Sequence, residues 1–117
     1  MSVMIDGVEY VRADSVQSMA KIDDMPYVIV RTFSAGVHAG FLKRREGKEV
    51  ELLQTRRIWY WTGAASLSQL AGEGSSDPSN CKFPAPIESI VLTEAIEILP
   101  CTERAMKNIM EVAIWKQ

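Results

Sequence analysis

The hydrophobic pattern of this chain is written mostly in short β-branched and aromatic runs. From Tyr27 to Phe33 the sequence "YVIVRTF", introduced by Pro26, predicts a strand. Ser34-Ala35-Gly36 breaks it, "VHAGFLKRRE" resumes an extended run, and Glu46-Gly47-Lys48 reads as the next turn. "EVELLQTRRIWYW" (Glu49 to Trp61) is then a third extended run, and turns this short predict an antiparallel meander. Gly40, inside the second run, suggests a bulge or a close backbone approach. Upstream, "MIDGVEYVR" (Met4 to Arg12) reads as a hairpin turning at Asp6-Gly7. "ADSVQSMAKIDDM" has no clear period and predicts a linker.

After Trp61 the pattern changes. Leu67 and Leu70 lie three apart among small and polar residues in "TGAASLSQLAG", which predicts a short helix with Ser66 as its N-cap. Gly72 to Pro86, "GEGSSDPSNCKFPAP", is the one long loop, and loops of that length are usually functional or disordered. The period of Ile87 to Leu99 is ambiguous between helix and strand. Its isoleucines and Val91 favour a strand, which Pro100 ends. Thr102 then caps a helix, "ERAMKNIMEV", with Met106, Ile109 and Met110 on one side, and "VAIW" offers a last short strand. The elements add up to an α+β fold: an antiparallel sheet with a short central helix and a C-terminal helix packed on it. Residues 1–117 are expected to form a single domain, with a hairpin and linker over 1–26 and a core over 27–117.

Composition excludes some classes and leaves others. No apolar run approaches the roughly 18 residues of a membrane span. The N-terminus lacks a basic-then-apolar signal pattern, so a cytosolic chain with Cys81 and Cys101 as reduced thiols is expected. A single histidine and two distant cysteines do not make a metal set, so no metal and no cofactor are expected. A net charge of −2 argues against a general coat for DNA or RNA. The charge is uneven, however. Lys43, Arg44, Arg45, Lys48, Arg56 and Arg57 hold six of the thirteen cations, whereas Lys82 is the only one from Ile58 to Glu103. A local anion site suits a small charged ligand better than a long polyanion.

Candidate chemistry centres on arginines. In "RRIWYW", strand alternation puts Arg57, Trp59 and Trp61 on one face and Arg56, Ile58 and Tyr60 on the other. Guanidinium beside indole can pair with phosphate while the rings stack on a base. The plainer reading packs the aromatics into the sheet and leaves the arginines at its rim. In "VRTFSAG", Arg31 is followed by the Thr32 and Ser34 hydroxyls and a bendable Gly36, groups suited to phosphate or ribose; an arginine at a strand end before a turn is the alternative. Arg104 follows the cap of the last helix, where an N-terminus welcomes anions. Catalytic patterns are poor. His38 stands alone, no nucleophile elbow, P-loop or zinc-helix motif occurs, and Glu94 and Glu97 face opposite sides of a strand. No catalytic residue is assigned, and an enzyme is not expected.

Taken in order, "VRTFSAGV", "RRIWYWTGAASLSQLA" and "EAIEILPCTE" resemble a family of small phage proteins, the first Thoeris anti-defence (Tad) family of nucleotide sponges. The resemblance runs from about Tyr27 to Thr102, roughly two thirds of the chain. It implies a protein that binds cyclic immune-signalling nucleotides without cleaving them, chiefly glycocyclic ADP-ribose isomers. Some members also take cyclic di- and trinucleotides from the CBASS pathway. It further implies action in the cytoplasm of the infected bacterial host, and a homo-oligomer, expected as a hexamer built from dimers, with pockets at subunit interfaces. By this resemblance Arg31, with Ser34 beside it, and Arg104 would contact phosphate, Arg57 and Thr93 would serve a second site for larger rings, and the loop around Asn80 to Phe83 would cover the ligand. The alternative from another class is a small nucleotide- or nucleic-acid-binding accessory protein.

Overall fold

A computed structural model describes residues 21–116. The hairpin expected at Met4 to Arg12 and most of the linker lie outside the described residues. The end of that linker is not a linker. Lys21–Ile22 (β1) pairs antiparallel with the start of Met25–Thr32 (β2), Ile22 opposite Met25. Asp23 and Asp24 both take positive φ (49° and 65°), the backbone of a tight primed turn that aspartate tolerates better than most residues.

The meander expected from the sequence follows. Val37–Glu46 (β3) pairs with β2, and Glu49–Ile58 (β4) pairs with β3. The β3–β4 register shifts twice, between Ala39 and Phe41 and between Leu42 and Arg44. At the first shift Gln54 has φ +51° and its strand bends. Gly40 sits against that bend, where a Cβ would lie 2.9 Å from the Leu53 carbonyl, so the close approach expected there is real.

The single strand expected from Ile87 to Leu99 is two strands. Ile87–Leu92 (β5) pairs with β4, whereas Ala95–Pro100 (β6) pairs with β2 at the far side, the two joined only by Thr93 and Glu94. The path is therefore β6-β2-β3-β4-β5, with its two edge strands tied by a two-residue turn. Such a sheet has to curl until its edges approach. One bond shows the curl closing, from Ala95 N–H to the Lys48 carbonyl in the β3–β4 turn, while Phe33 N–H extends the β2–β6 ladder to the Glu94 carbonyl (3.0 Å each). An apolar period could not reveal the turn, because Ile90, Leu92, Ile96 and Ile98 keep a spacing of two across it, although Leu92 and Ala95, three apart, face the same inner cluster.

Curling gives the sheet two cores. Val28, Val30, Val50, Leu52 and Leu92 fill the concave side, with Ile90, Ala95 and Ile98 against them. Tyr27, Ile29, Ala39, Phe41 and Ile58 face the other way and meet the helices. Leu67–Glu73 (α1) is capped as expected, Ser66 Oγ accepting from Gln69 N–H, and buries Leu70 and Ala71. Glu103–Glu111 (α2) is capped by Thr102, whose hydroxyl accepts from Ala105 N–H and donates to the Gly72 carbonyl, linking the two helices. Ala105 and Ile109 are the buried stripe of α2, while Met110 turns outward. The α+β fold with a mid-chain and a C-terminal helix is thus present. The last strand is reduced to one bridge, Phe83 with Ile114.

The long loop is ordered. Ser75 and Asn108 exchange two hydrogen bonds, Ser76 N–H donates to the Gly63 carbonyl, a 3-10 turn spans Pro78–Asn80, and Lys82 bridges to Tyr60. Cys81 and Cys101 are free and buried, and burial pushes the Cys101 thiol up to about 12.

Candidate ligand-binding surface

The turn between β2 and β3 is built by its own side chains. Thr32 Oγ1 donates to the Gly36 carbonyl (2.7 Å) and accepts from Ala35 N–H (2.8 Å), and Gly36 takes φ +84°. A β-carbon is strained at that φ, so the turn needs glycine there. This rigid turn holds Phe33 out in solvent, 77% exposed, between Arg31 and Ser34. Arg31 is half-exposed and pairs with Glu97 on β6, Nε to Oε1 3.0 Å. Ser34 Oγ donates to Glu94 Oε1 at 2.6 Å, and exposed Thr93 precedes Glu94. Arg31, Ser34, Thr93 and the two carboxylates therefore gather where β6 meets β2. Glu94 and Glu97, which form no dyad, each hold a different partner.

Arg57 belongs to the other face. Its register partner is His38, on the concave side, and Arg57 Nη1 donates to the Ala35 carbonyl at 2.9 Å. The same carbonyl lies 2.8 Å from His38 Nε2. An Nε2–H donating there leaves Nδ1 a bare acceptor, and this buried Nδ1 has no partner among the described residues. Burial lowers the His38 pKa below the usual imidazole value; the bond to Ala35 opposes this and the Arg57 charge adds to it. His38 and Arg57 line a small cavity of about 180 Å³ walled by Pro84, Ala85, Ile87 and Ile90.

The remaining expected residues are placed elsewhere. Arg104 is exposed in the first turn of α2, beside Glu103, and lines a separate cleft of about 140 Å³ with Ser75, Ser76 and Asn108. Asn80 is exposed and donates to both carboxylate oxygens of Asp77 (3.0 Å each). Phe83 is a core residue, fully buried against Ile58, Leu70 and Ile109, so its ring does not reach solvent to cover a ligand. Arg31 and Ser34 share a surface with Thr93, while Arg57, Arg104 and Asn80 are spread over three other places.

The "RRIWYW" stretch departs from both readings of it. Alternation holds only to Ile58, where β4 ends. Arg56 points with Ile58 into the helix-side core and is 3% exposed, not at a rim. Its guanidinium donates to the carbonyls of Val112 (2.7 Å), Phe83 (2.9 Å), Pro84 (3.0 Å) and Ile109 (3.1 Å). Two of these are end carbonyls of α2, which has no basic residue in its own last turn. Past the strand, Trp61 packs on the helix-side core, and Trp59 leaves to stack on Trp115 (4.8 Å, 15°). Lys82 Nζ lies 5.6–5.8 Å from the rings of Trp59, Tyr60 and Trp115, within cation–π reach of all three. Sequence reading missed Arg56 and this Lys82 cluster. The signal for Arg56 was its shared parity with Ile58.

Among the described residues no helix is long and apolar enough to cross a membrane, and no three His, Cys, Asp or Glu side chains converge as a metal set. No curated protein and no solved structure matches the chain. A family model described as a domain of unknown function (DUF6948) matches residues 25–109, most of the chain, and the protein belongs to that family.

Proposed function

We propose that the protein is a phage anti-defence sponge that binds and sequesters cyclic immune-signalling nucleotides without cleaving them, and so starves Thoeris effectors, and CBASS effectors where larger rings bind. The observation that carries this reading is the β2–β3 turn. Phe33, 77% exposed, lies in the chain between a half-exposed arginine and a serine, the combination that stacks a base and holds a phosphate. The order and spacing of the motifs around that turn give further support. On this reading Glu97 and Glu94 hold Arg31 and Ser34 until phosphate displaces them, and Arg57, on the opposite face, serves the larger rings. Arg104 reaches the ligand from another protomer, in a hexamer built from dimers in the host cytoplasm. The reading predicts an oligomer in light scattering.

Calorimetry with glycocyclic ADP-ribose isomers and cyclic di- and trinucleotides, followed by heat denaturation and recovery of the ligand, tests the proposal. The expected result is tight binding and intact ligand. Arg31→Ala and Arg104→Ala are each expected to cost about 1.5–3 kcal/mol, the contribution of a charge-assisted hydrogen bond. Cleaved ligand, or unchanged affinity in both variants, rejects it.

The stacked, half-exposed Trp59 beside Lys82 favours a second reading, a module that stacks single-stranded nucleic acid. That reading requires competition by long DNA and a steep salt dependence.

A further inference from the structure

On the helix side of the sheet, away from the β2–β3 turn, lies a cavity of about 430 Å³ between the β4 bend, the start of β5 and α2. That volume falls within the range of small-molecule pockets. Its walls are Pro86, Ile87 and Met110, its inner side is Tyr27 and Arg56, and Gln54 and Glu88 complete it from exposed positions. The fold leaves one feature of the inner side unexplained, and the second, Arg56, brings a net charge there besides tying the end of α2. The Tyr27 hydroxyl is buried and has no hydrogen-bond partner among the described residues, although a buried phenol normally finds one. Arg56 is a buried cation whose partners are all carbonyls, with no carboxylate paired to it among the described residues. The residues that carry an unused donor and a buried positive charge therefore line one apolar-walled space, just beneath its surface. Gln54 lies beside it in the positive-φ conformation, the strained backbone that collects at ligand clamps.

We infer that this cavity is a binding site for a small apolar monocarboxylate, its carboxylate accepting from the Tyr27 hydroxyl near Arg56 and its apolar body lying against Pro86, Ile87 and Met110. The guanidinium contributes its charge more than its donors, since its N–H groups are already spent on carbonyls. Glu88 gives the site a direction. A carboxylate on an exposed position of the cavity repels an anion outside, so the ligand's charged end belongs at the floor and its apolar end outward. The opposite pattern, donors on the ligand reaching Glu88, would describe a nucleobase instead, and the two differ in how they respond to the charge of residue 88. The site is independent of the Arg31 surface.

The test uses the full chain and 2-naphthoate as probe, with neutral 2-acetylnaphthalene as its uncharged counterpart, both read by calorimetry. One-to-one saturable binding of naphthoate is expected, with the neutral probe at least about tenfold weaker. Tyr27→Phe is expected to lower naphthoate affinity about tenfold to a hundredfold without lowering the melting temperature, because it deletes a hydroxyl the fold leaves unpaired. Glu88→Gln, at an exposed position, is expected to raise affinity by up to about fivefold. Met110→Trp, on the outer face of α2, fills the cavity mouth without entering the core and is expected to abolish binding, which keeps the test decisive should Tyr27→Phe fold poorly. No saturable binding with millimolar probe, equal binding of the neutral probe, or an unchanged affinity in Met110→Trp overturns the proposal. Weaker binding in Glu88→Gln overturns it in favour of a nucleobase-like ligand.

Discussion

Replacing Arg56 by methionine keeps the apolar stem of the side chain and deletes the guanidinium, with its charge and donors. Four carbonyls then lose a partner at 2.7–3.1 Å: Val112, Phe83, Pro84 and Ile109. Hydrogen bonds to a charged group contribute about 1.5–3 kcal/mol each, so four set a ceiling of ~6–12 kcal/mol. Two effects lower it. The native protein carries the desolvation cost of a guanidinium that is 3% exposed, several kcal/mol that the variant no longer bears. Water can also reach some of the freed carbonyls where α2 ends. The expected net loss is ~3–5 kcal/mol, a large share of the 5–15 kcal/mol typical of a domain. Arg56→Lys keeps the charge but gathers its donors at one point, so it should recover only part of this, leaving a loss of ~1–3 kcal/mol. Urea unfolding measures both, with the slope checked for constancy. Arg57→Met is the internal control: one residue on, exposed, with a single bond to the Ala35 carbonyl, it should cost below ~1 kcal/mol. A loss below ~1 kcal/mol for Arg56→Met, or equal losses for the two, would refute the reasoning.

Two further outcomes follow from the same geometry. His38, the sole histidine, has its pKa lowered by burial, so the unfolded chain binds its proton first. Stability should be flat above about pH 7 and fall as pH drops below ~6.5, by at most about 1.4 kcal/mol per unit, and the fall should vanish in His38→Gln; a wild-type curve flat from pH 7 to 5.5 contradicts this. Thr102→Ala removes both the cap of α2 and the hydroxyl bond to the Gly72 carbonyl, and is expected to cost ~1–2 kcal/mol in urea unfolding, with faster hydrogen exchange at Ala105.

Much of the fold was legible because its signals are local. Ser66 and Thr102 announce their helices as hydroxyl caps three residues before the amides they accept from. Gly36 and Gly47 mark turns whose φ values only glycine adopts cheaply. The β5–β6 break was not legible, since Thr93 and Glu94 carry no glycine or proline and Ile90, Leu92, Ile96 and Ile98 keep the alternation of a single strand across them. The positions of the candidate residues were legible only where they stay at a turn. Arg31 and Ser34 sit where the sequence put them because Thr32 fixes the β2–β3 turn locally. Phe83 could not be read from a loop-like context, "NCKFPAP", because its burial depends on α1 and α2 arriving from distant parts of the chain.

The adjacent arginines show how far one residue of parity reaches. Arg56 and Arg57 leave β4 on opposite faces, and each lines a different cavity: Tyr27 and Arg56 on the helix side, His38 and Arg57 on the concave side. Between the two cavities runs a single wall. Pro84 and Ala85 face the concave cavity, Pro86 the helix-side one, and Ile87, opposite Thr55 in the β4–β5 ladder, lines both. Prolines limit that wall to few conformations, but they also remove the N–H groups that could tie it to the sheet. The tie comes from Arg56 instead, through the Phe83 and Pro84 carbonyls, while its other bonds hold the end of α2. One buried side chain thus sets the distance between α2 and the 83–87 wall, which is the width of the helix-side cavity. The same side chain fixes the first residues of the concave cavity's wall. A change at Arg56 should therefore alter both cavities, whereas a change at Arg57 should alter only the concave one.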